Sequence, residues 1–206
     1  MIVAVVPAAG QSARMGRPKP LLEVDGSTLI ARVVAALAGG GASRVLVIVP
    51  PEGRAESAGT ARAARSAGAT VVVPAEQPAD MRASIEIGIA RIGSDAGPGP
   101  PPTGVLITPG DVPGIGADLV RRVVEAGLAA PGSIVVPRAG AKRGHPVFLP
   151  WEAALAIRLL PAGTGLNALI AGPGQEVVTV EVGDPKALLD IDTPDDYRRW
   201  TGRGPA

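Results

Sequence analysis

The sequence predicts an α/β protein with a predominantly parallel, mixed sheet, and three observations carry that expectation. Short apolar runs rich in β-branched residues recur at 2–6, 45–49, 71–73 and 105–108. Between them lie segments with helical apolar spacing; Ile30, Val33, Val34 and Leu37 fall at i, i+3, i+4 and i+7. Strands alternating with helices at this interval build parallel sheets rather than hairpins. The loops that follow two of these runs also carry placed charges, and ligands bind at the carboxyl ends of strands in open α/β sheets.

The run 2–6 breaks into a small-residue loop, 7–20, with two glycines and two placed cations. Ala8, Ala9 and Gly10 have almost no side chain, so an anion can approach their backbone N–H groups. Arg14 offers a planar fork to phosphate oxygens and Lys19 a point charge. The chain holds three lysines against seventeen arginines, so a lysine in this loop is not a general solubilising residue. Two familiar phosphate loops are excluded by spacing. Five residues separate Gly10 from Gly16 and Pro20 follows Lys19, which breaks the P-loop pattern, and no Gly-x-Gly-x-x-Gly occurs.

After the Asp25-Gly26 turn, the helix around Ile30–Leu37 ends at three consecutive glycines, 39–41. The strand at 45–49 closes on Pro50 and Pro51, and residues 54–67 form a weak helix with little apolar face. After the strand at 71–73 comes a helix N-capped by Asp80, with Met81, Ile85, Gly88, Ile89 and Ile92 marking its buried stripe. Residues 94–103 are low in complexity and read as a flexible surface loop inserted before the next strand. That strand, 105–108, delivers Asp111 just past its end; no other acidic residue lies between Asp95 and Asp118. Leu119, Val120, Val123 and Val124 give the next helix, and 133–137 the next strand. Arg138, Lys142, Arg143 and the lone His145 then precede a short strand, as in a basic hairpin tip. Small residues before Leu166 can make an anion-binding helix start. The strand at 177–182 pairs at an edge or covers the site. Asp190 and Asp192 alternate on a strand end and point to one side. Thr193 caps a last helix with Pro194 at its first position, and 202–206 are a disordered tail.

Composition narrows the function classes. At 206 residues, one domain covering 1–206 is the simplest organisation, with room for a substantial core. Aromatics are only 2%, too few for a stacking platform on single-stranded nucleic acid. A net charge of +1 gives no electrostatic case for nucleic-acid or membrane binding. The absence of cysteine excludes disulfides, thiolate metal sites and cysteine nucleophiles. The first residues lack a basic n-region and break at Pro7, and no apolar run is as long as a transmembrane helix. A soluble, cytoplasmic protein is expected.

Ala8, Ala9, Gly10, Ser12, Arg14, Met15, Gly16 and Lys19 match the loop Ala-Ala-Gly-x-Ser-x-Arg-Met-Gly-x-x-Lys. In this the chain resembles the molybdenum-cofactor nucleotidyltransferases, the MobA-like NTP transferases of the nucleotide-diphospho-sugar transferase superfamily. The Pro18-Lys19-Pro20-Leu21-Leu22 ending is also similar to sugar-phosphate nucleotidyltransferases. The resemblance runs nearly the length of the chain and implies a Rossmann-like, three-layer α/β/α fold. It implies a loop wrapping a triphosphate, with Ala8, Ala9, Gly10, Ser12, Arg14, Gly16 and Lys19 on the nucleotide. Ser84 matches the segment beside base and ribose, where Asp80 replaces the family's glycine. Asp111 and Asp192 are then Mg²⁺ ligands, with Asp190 in support and Mn²⁺ as a substitute ion. Arg143, Gly144 and His145 match the acceptor-pocket segment. Thr164 and Asn167 join the acceptor side, where residues 164–169 look more like phospholactate guanylyltransferases than molybdopterin cytidylyltransferases.

The implied reaction is Mg²⁺-dependent transfer of NMP from an NTP to a small phosphorylated acceptor, with pyrophosphate released. CTP is the preferred donor and molybdopterin or molybdenum cofactor the preferred acceptor. Arg14, Lys19 and Asp111 are the catalytic candidates. The alternatives are GTP transfer to a phospholactate-like acceptor, a sugar-phosphate nucleotidyltransferase, or a non-catalytic nucleotide-binding maturation factor. Implied partners are the NTP, the acceptor and a transient molybdoenzyme contact, with no nucleic acid and no membrane.

Overall fold

A computed structural model of the chain describes residues 1–10, 15–97, 99–161, 163–172 and 174–204. β1 (Ile2–Pro7) is flanked by β6 (Gly104–Ile107) and β4 (Arg44–Ile48), both parallel to it. β5 (Thr70–Val72) extends the β4 side, and the order across the sheet is β10-β7-β9-β6-β1-β4-β5. β7 (Ile134–Ala139) and edge strand β10 (Val177–Glu181) are parallel to each other. β9 (Val147–Pro150) runs antiparallel to both neighbours, and the short β8 (Lys142–Arg143) folds back on β7. The expected mixed, mostly parallel sheet is therefore present, with the late strand at its edge.

Alternation along the strands feeds two cores. Ala4 and Val6 point to one face with Val45, Val47 and Leu106, under α1 (Leu29–Gly39), α2 (Ser57–Ser66) and α4 (Ala117–Ala129). Val3 and Val5 point to the other face, under α3 (Met81–Asp95), α5 (Trp151–Ala156) and α6 (Leu166–Ile170). A sheet buried on both faces is what near-continuous apolar strands require. Glycines set the closest approaches. A Cβ on Gly88 would meet Val5 Cγ1 at 2.5 Å, so α3 can lie directly on β1.

A third cluster sits beside the sheet. Met15, Leu22, Val24, Leu29, Ile191 and Tyr197 pack together there, joining the first loop to α7 (Pro194–Thr201). Asp25 and Gly26 take positive φ and turn the hairpin of β2 (Glu23–Val24) and β3 (Ser27–Thr28), as an Asp-Gly pair favours. Both expected caps form: Asp80 accepts from Ala83 N at 2.8 Å, and Thr193 and Asp196 make a reciprocal capping box.

Four sequence expectations need correction. Met81 is not in the buried stripe; it is 52% exposed, because it borders an open cavity rather than the sheet's core. Helix α3 continues through Asp95, which pairs with Arg44 and Arg91, so the loop begins at Ala96 rather than Ser94. Asp190 and Asp192 are on no strand; they follow a 3-10 turn, Pro185–Leu188, on irregular backbone. Gly202 and Arg203 are not a loose tail: Gly202 N donates to Arg198 O at 2.8 Å in a left-handed helix cap.

Candidate active site

The carboxyl ends of β1, β5 and β6 open on one cavity of about 610 Å³. Its walls are residues 7–10 after β1, the β5–α3 connection with Gln77, Asp80, Met81 and Ser84, and residues 109–111 after β6. Lys19 and Asp192 complete it. Small residues let these loops meet. Ala8 N donates to Ile48 O at 2.9 Å, and a Cβ on Gly110 would lie 3.4 Å from that of Ala8.

Lys19 opens a 3-10 turn, Lys19–Leu21, between Pro18 and Pro20. Its Nζ donates to Asp192 Oδ1 at 2.5 Å and to Asp111 Oδ2 at 3.2 Å. The ammonium side chain is only 12% exposed, against 21% for Asp111 and 45% for Asp192. Burial works against the Lys19 charge, but the hydrogen bond to Asp192 and the charge of Asp111 outweigh it and raise the lysine above its ordinary value. For Asp111 burial dominates: it pushes the carboxyl up, although Lys19 pulls the other way. Asp190 is also pushed up, first by burial and then by the charge of Asp111, while Lys142 opposes the shift.

The segment carrying Asp190 and Asp192 is held by contacts that the sequence conceals. Ile191 N donates to Asp111 O at 3.2 Å, stitching the two acidic segments together. The preceding turn lies against two glycines. A Cβ on Gly114 would meet Ala187 Cα at 2.7 Å, and one on Gly144 would meet Leu188 Cδ2 at 2.7 Å. Gly144 therefore has a packing role whatever else it does. Met15 is buried against the same segment through the third cluster, while Gly16 takes a left-handed φ of 72°.

The other expected residues fall in three groups. Ser12 and Arg14 lie outside the described residues. Ala8, Ala9, Gly10, Lys19, Ser84, Asp111 and Asp192 line the cavity. Ser84 is buried, and its Oγ donates back to Asp80 O at 3.4 Å. The acceptor candidates stand outside that lining. Arg143 is exposed on β8, and the desolvated His145 ring places Nδ1 3.4 Å from Ile107 O. Burial lowers the His145 pKa, which the Ile107 carbonyl opposes. Thr164 is tied to the start of α3: Arg82 donates to Pro161 O at 2.7 Å and to Thr164 O at 3.4 Å. Asn167 is exposed on α6. Gln77 was not expected; only its place after a strand's carboxyl end could have marked it.

The two carboxylates suit a hard divalent cation. Asp111 and Asp192 already converge on one positive charge, and burial leaves Asp111 in need of one. No group of three or more acidic or histidine side chains forms a cage among the described residues. Two carboxylates completed by water and substrate phosphates are a common Mg²⁺ arrangement.

The sequence pattern of the MobA-like NTP transferase domain matches residues 4–179. A 2-C-methyl-D-erythritol 4-phosphate cytidylyltransferase of Rhodococcus jostii is 50% identical over 54 residues, 25% of this chain and 24% of that protein. The bifunctional protein GlmU of Rhodospirillum rubrum is 32% identical over 169 residues, 81% of this chain and 33% of that protein. The chain thus matches about a quarter to a third of the length of these curated relatives. The crystal structure of Rv0371c from Mycobacterium tuberculosis H37Rv superposes with a TM-score of 0.78 at 28% identity, covering 98% of this chain and 100% of that one. A manganese complex of the same protein superposes at 0.72 with 27% identity, covering 98% of each chain. On the family match, which spans most of the sequence and all of the cavity's walls except Asp192, the chain belongs to the MobA-like NTP transferase domain family.

Proposed function

We propose that the chain transfers a nucleotidyl group from an NTP to a small phosphorylated acceptor and releases pyrophosphate. The observation that carries this reading is the Lys19 ammonium held between Asp111 and Asp192 at a cavity of nucleotide size. The backbone of residues 8–10, Lys19 and Arg14 take the triphosphate, and Ser84 with the α3 start takes the nucleoside. Asp111 and Asp192 would hold Mg²⁺ or Mn²⁺; when bound, the ion neutralises charge on phosphate oxygens. The manganese complex of the Mycobacterium relative supports a divalent ion.

The acceptor phosphate is itself nucleophilic at neutral pH. One of its oxygens bonds to the α-phosphorus while the bond to the bridging oxygen breaks and pyrophosphate departs. The protein's task is alignment and charge neutralisation. Gly144, which follows β8, lies against Leu188, two residues before Asp190, so the β8–β9 connection borders the segment that carries Asp190 and Asp192. The acceptor phosphate enters from that side, toward Arg143, Gly144 and His145, while Thr164 and Asn167 take its remaining polar groups.

CTP is the preferred donor, supported by the cytidylyltransferase relative, and molybdopterin the preferred acceptor. A transient contact with a molybdoenzyme would then deliver the product. Residues 164–169 favour a second reading, guanylyl transfer to a phospholactate-like acceptor. The test is a matrix of the four NTPs against molybdopterin, 2-phospholactate, sugar phosphates and 2-C-methyl-D-erythritol 4-phosphate, read by pyrophosphate release and product mass. One nucleotidyl product is expected. NTP binding without pyrophosphate from any pair would instead favour a non-catalytic maturation factor.

A further inference from the structure

The Asp192 carboxylate is held from behind by a group that the scheme above does not use. Asp192 lies on irregular backbone and its side chain is 45% exposed, so packing fixes little of its direction. Its backbone is fixed on both sides instead. Before it, Ile191 N donates to Asp111 O at 3.2 Å. At and after it, Asp192 N and Thr193 N both donate to Asp196 Oδ2, at 3.2 and 2.8 Å. Thr193 Oγ1 donates to the same oxygen at 2.7 Å. A capping box needs only one of these amides, that of the N-cap residue Thr193. The bond from Asp192 N reaches one residue further back, beyond what closing the helix requires. Arg199 donates to the other oxygen, Oδ1, at 2.6 Å, which leaves Oδ2 turned toward the amides.

We infer that Asp196 is a positioning residue, which aims the Asp192 carboxylate at the ion site by holding its backbone amide. This rests on the reading of Asp111 and Asp192 as ion ligands and goes beyond it by naming what keeps the second beside the first. Asp196 does not line the cavity, so it acts there only through Asp192. Two clamps share the work. Ile191 ties the segment to the end of β6 through the Asp111 carbonyl, and Asp196 ties the next residue to α7. The helix is anchored in turn, because Tyr197 Oη donates to Glu23 O at 2.6 Å. Groups that orient a metal ligand from behind tune ion affinity without touching the ion.

The test is titration of the full chain with Mn²⁺ alone, read by the electron paramagnetic resonance of the free ion, beside thermal unfolding. Two variants break the same cap from opposite sides. Thr193→Ala deletes the hydroxyl that caps Asp196 N but leaves Asp192 N its acceptor, whereas Asp196→Ala deletes that acceptor as well. Both lower the melting temperature. Only Asp196→Ala weakens Mn²⁺ binding, by about tenfold to a hundredfold, the range for groups that orient a metal ligand. Asp196→Asn keeps an oxygen for the two amides and restores most of that binding. Equal losses in Thr193→Ala and Asp196→Ala, no loss in either, or an Asp196→Asn as weak as Asp196→Ala overturns the inference and leaves Asp196 a helix cap. Should Asp196→Ala fail to fold, wild type decides: Mg²⁺ slows hydrogen exchange at the Asp192 and Thr193 amides, and unchanged exchange there overturns the inference equally. Failure of wild type to bind Mn²⁺ overturns the ion-ligand reading of Asp111 and Asp192, and this inference with it.

Discussion

Lys19 faces Asp111 at 3.2 Å and Asp192 at 2.5 Å, so among the described residues one ammonium meets two carboxylates. Asp111→Asn keeps the volume and removes the charge. On the proposed reaction, turnover should fall on the order of a hundredfold or more, because the carboxylate that would hold the ion in the transition state is removed. The melting temperature should hold or rise, since burial already disfavours the ionised carboxyl. Steady-state kinetics beside thermal unfolding checks both halves; near-normal Mg²⁺-dependent turnover would remove Asp111 from the site. Lys19→Met makes a complementary case. Without the ammonium, Asp111 and Asp192 repel each other and have one fewer competitor for a cation. Mn²⁺ should bind more tightly in the absence of nucleotide, while NTP turnover falls. Titration with Mn²⁺ alone reads the first effect, and weaker or unchanged Mn²⁺ binding would refute it.

Among the elements, the segment from Pro185 to Asp192 owes its place to two glycines far away in sequence. A Cβ on Gly114 would press on backbone, with Ala187 Cα and Lys186 O both at 2.7 Å. A Cβ on Gly144 would press mainly on the Leu188 side chain. Backbone yields less than a side chain, so Gly114→Ala should cost more than Gly144→Ala, within the roughly 1–3 kcal/mol typical of overpacking. Both should lower activity by moving Asp192 relative to Asp111; chemical denaturation with parallel kinetics tests the order, and equal, negligible losses would show the turn to be loosely held. This segment also marks where sequence reading stops. The strands, the helices, the Asp25-Gly26 turn and the caps at Asp80 and Thr193 were legible because periodicity, turn chemistry and capping are local. Asp111 was legible because it follows a strand directly. The irregular path of Asp190 and Asp192 was not, since it depends on Ile191 bonding to Asp111 and on glycines whose neighbours are tertiary. Met81 misled for a related reason: helical spacing places it on the inner stripe, but at that point the helix borders the cavity instead of the core. Gln77 carries no periodic or capping pattern beyond its place after a strand's carboxyl end, and its contact with the Ala9 carbonyl is tertiary.

Over the whole molecule, the parallel strands bring their carboxyl ends to one side, and the chain's single histidine lies there against the end of β6. Global stability therefore has a titration that can be isolated. Burial lowers the pKa of His145 in the folded chain, so the unfolded chain takes up the proton first as pH falls. The unfolded state then binds more protons, and stability is lost as pH drops below about 6.5 toward the folded value. Asp111 and Asp190 act in the opposite direction at lower pH, because their folded carboxyls are raised and gain protons before the unfolded ones. Wild type alone would mix these effects, so the informative quantity is the difference from His145→Gln, which is neutral throughout. The melting temperature of wild type relative to this variant should be highest near about pH 8 and decline steadily to about pH 5.5. A difference that stays flat across that range would mean that the ring takes up its proton equally well in the folded chain, and that the β8–β9 connection opens to water beneath the cavity.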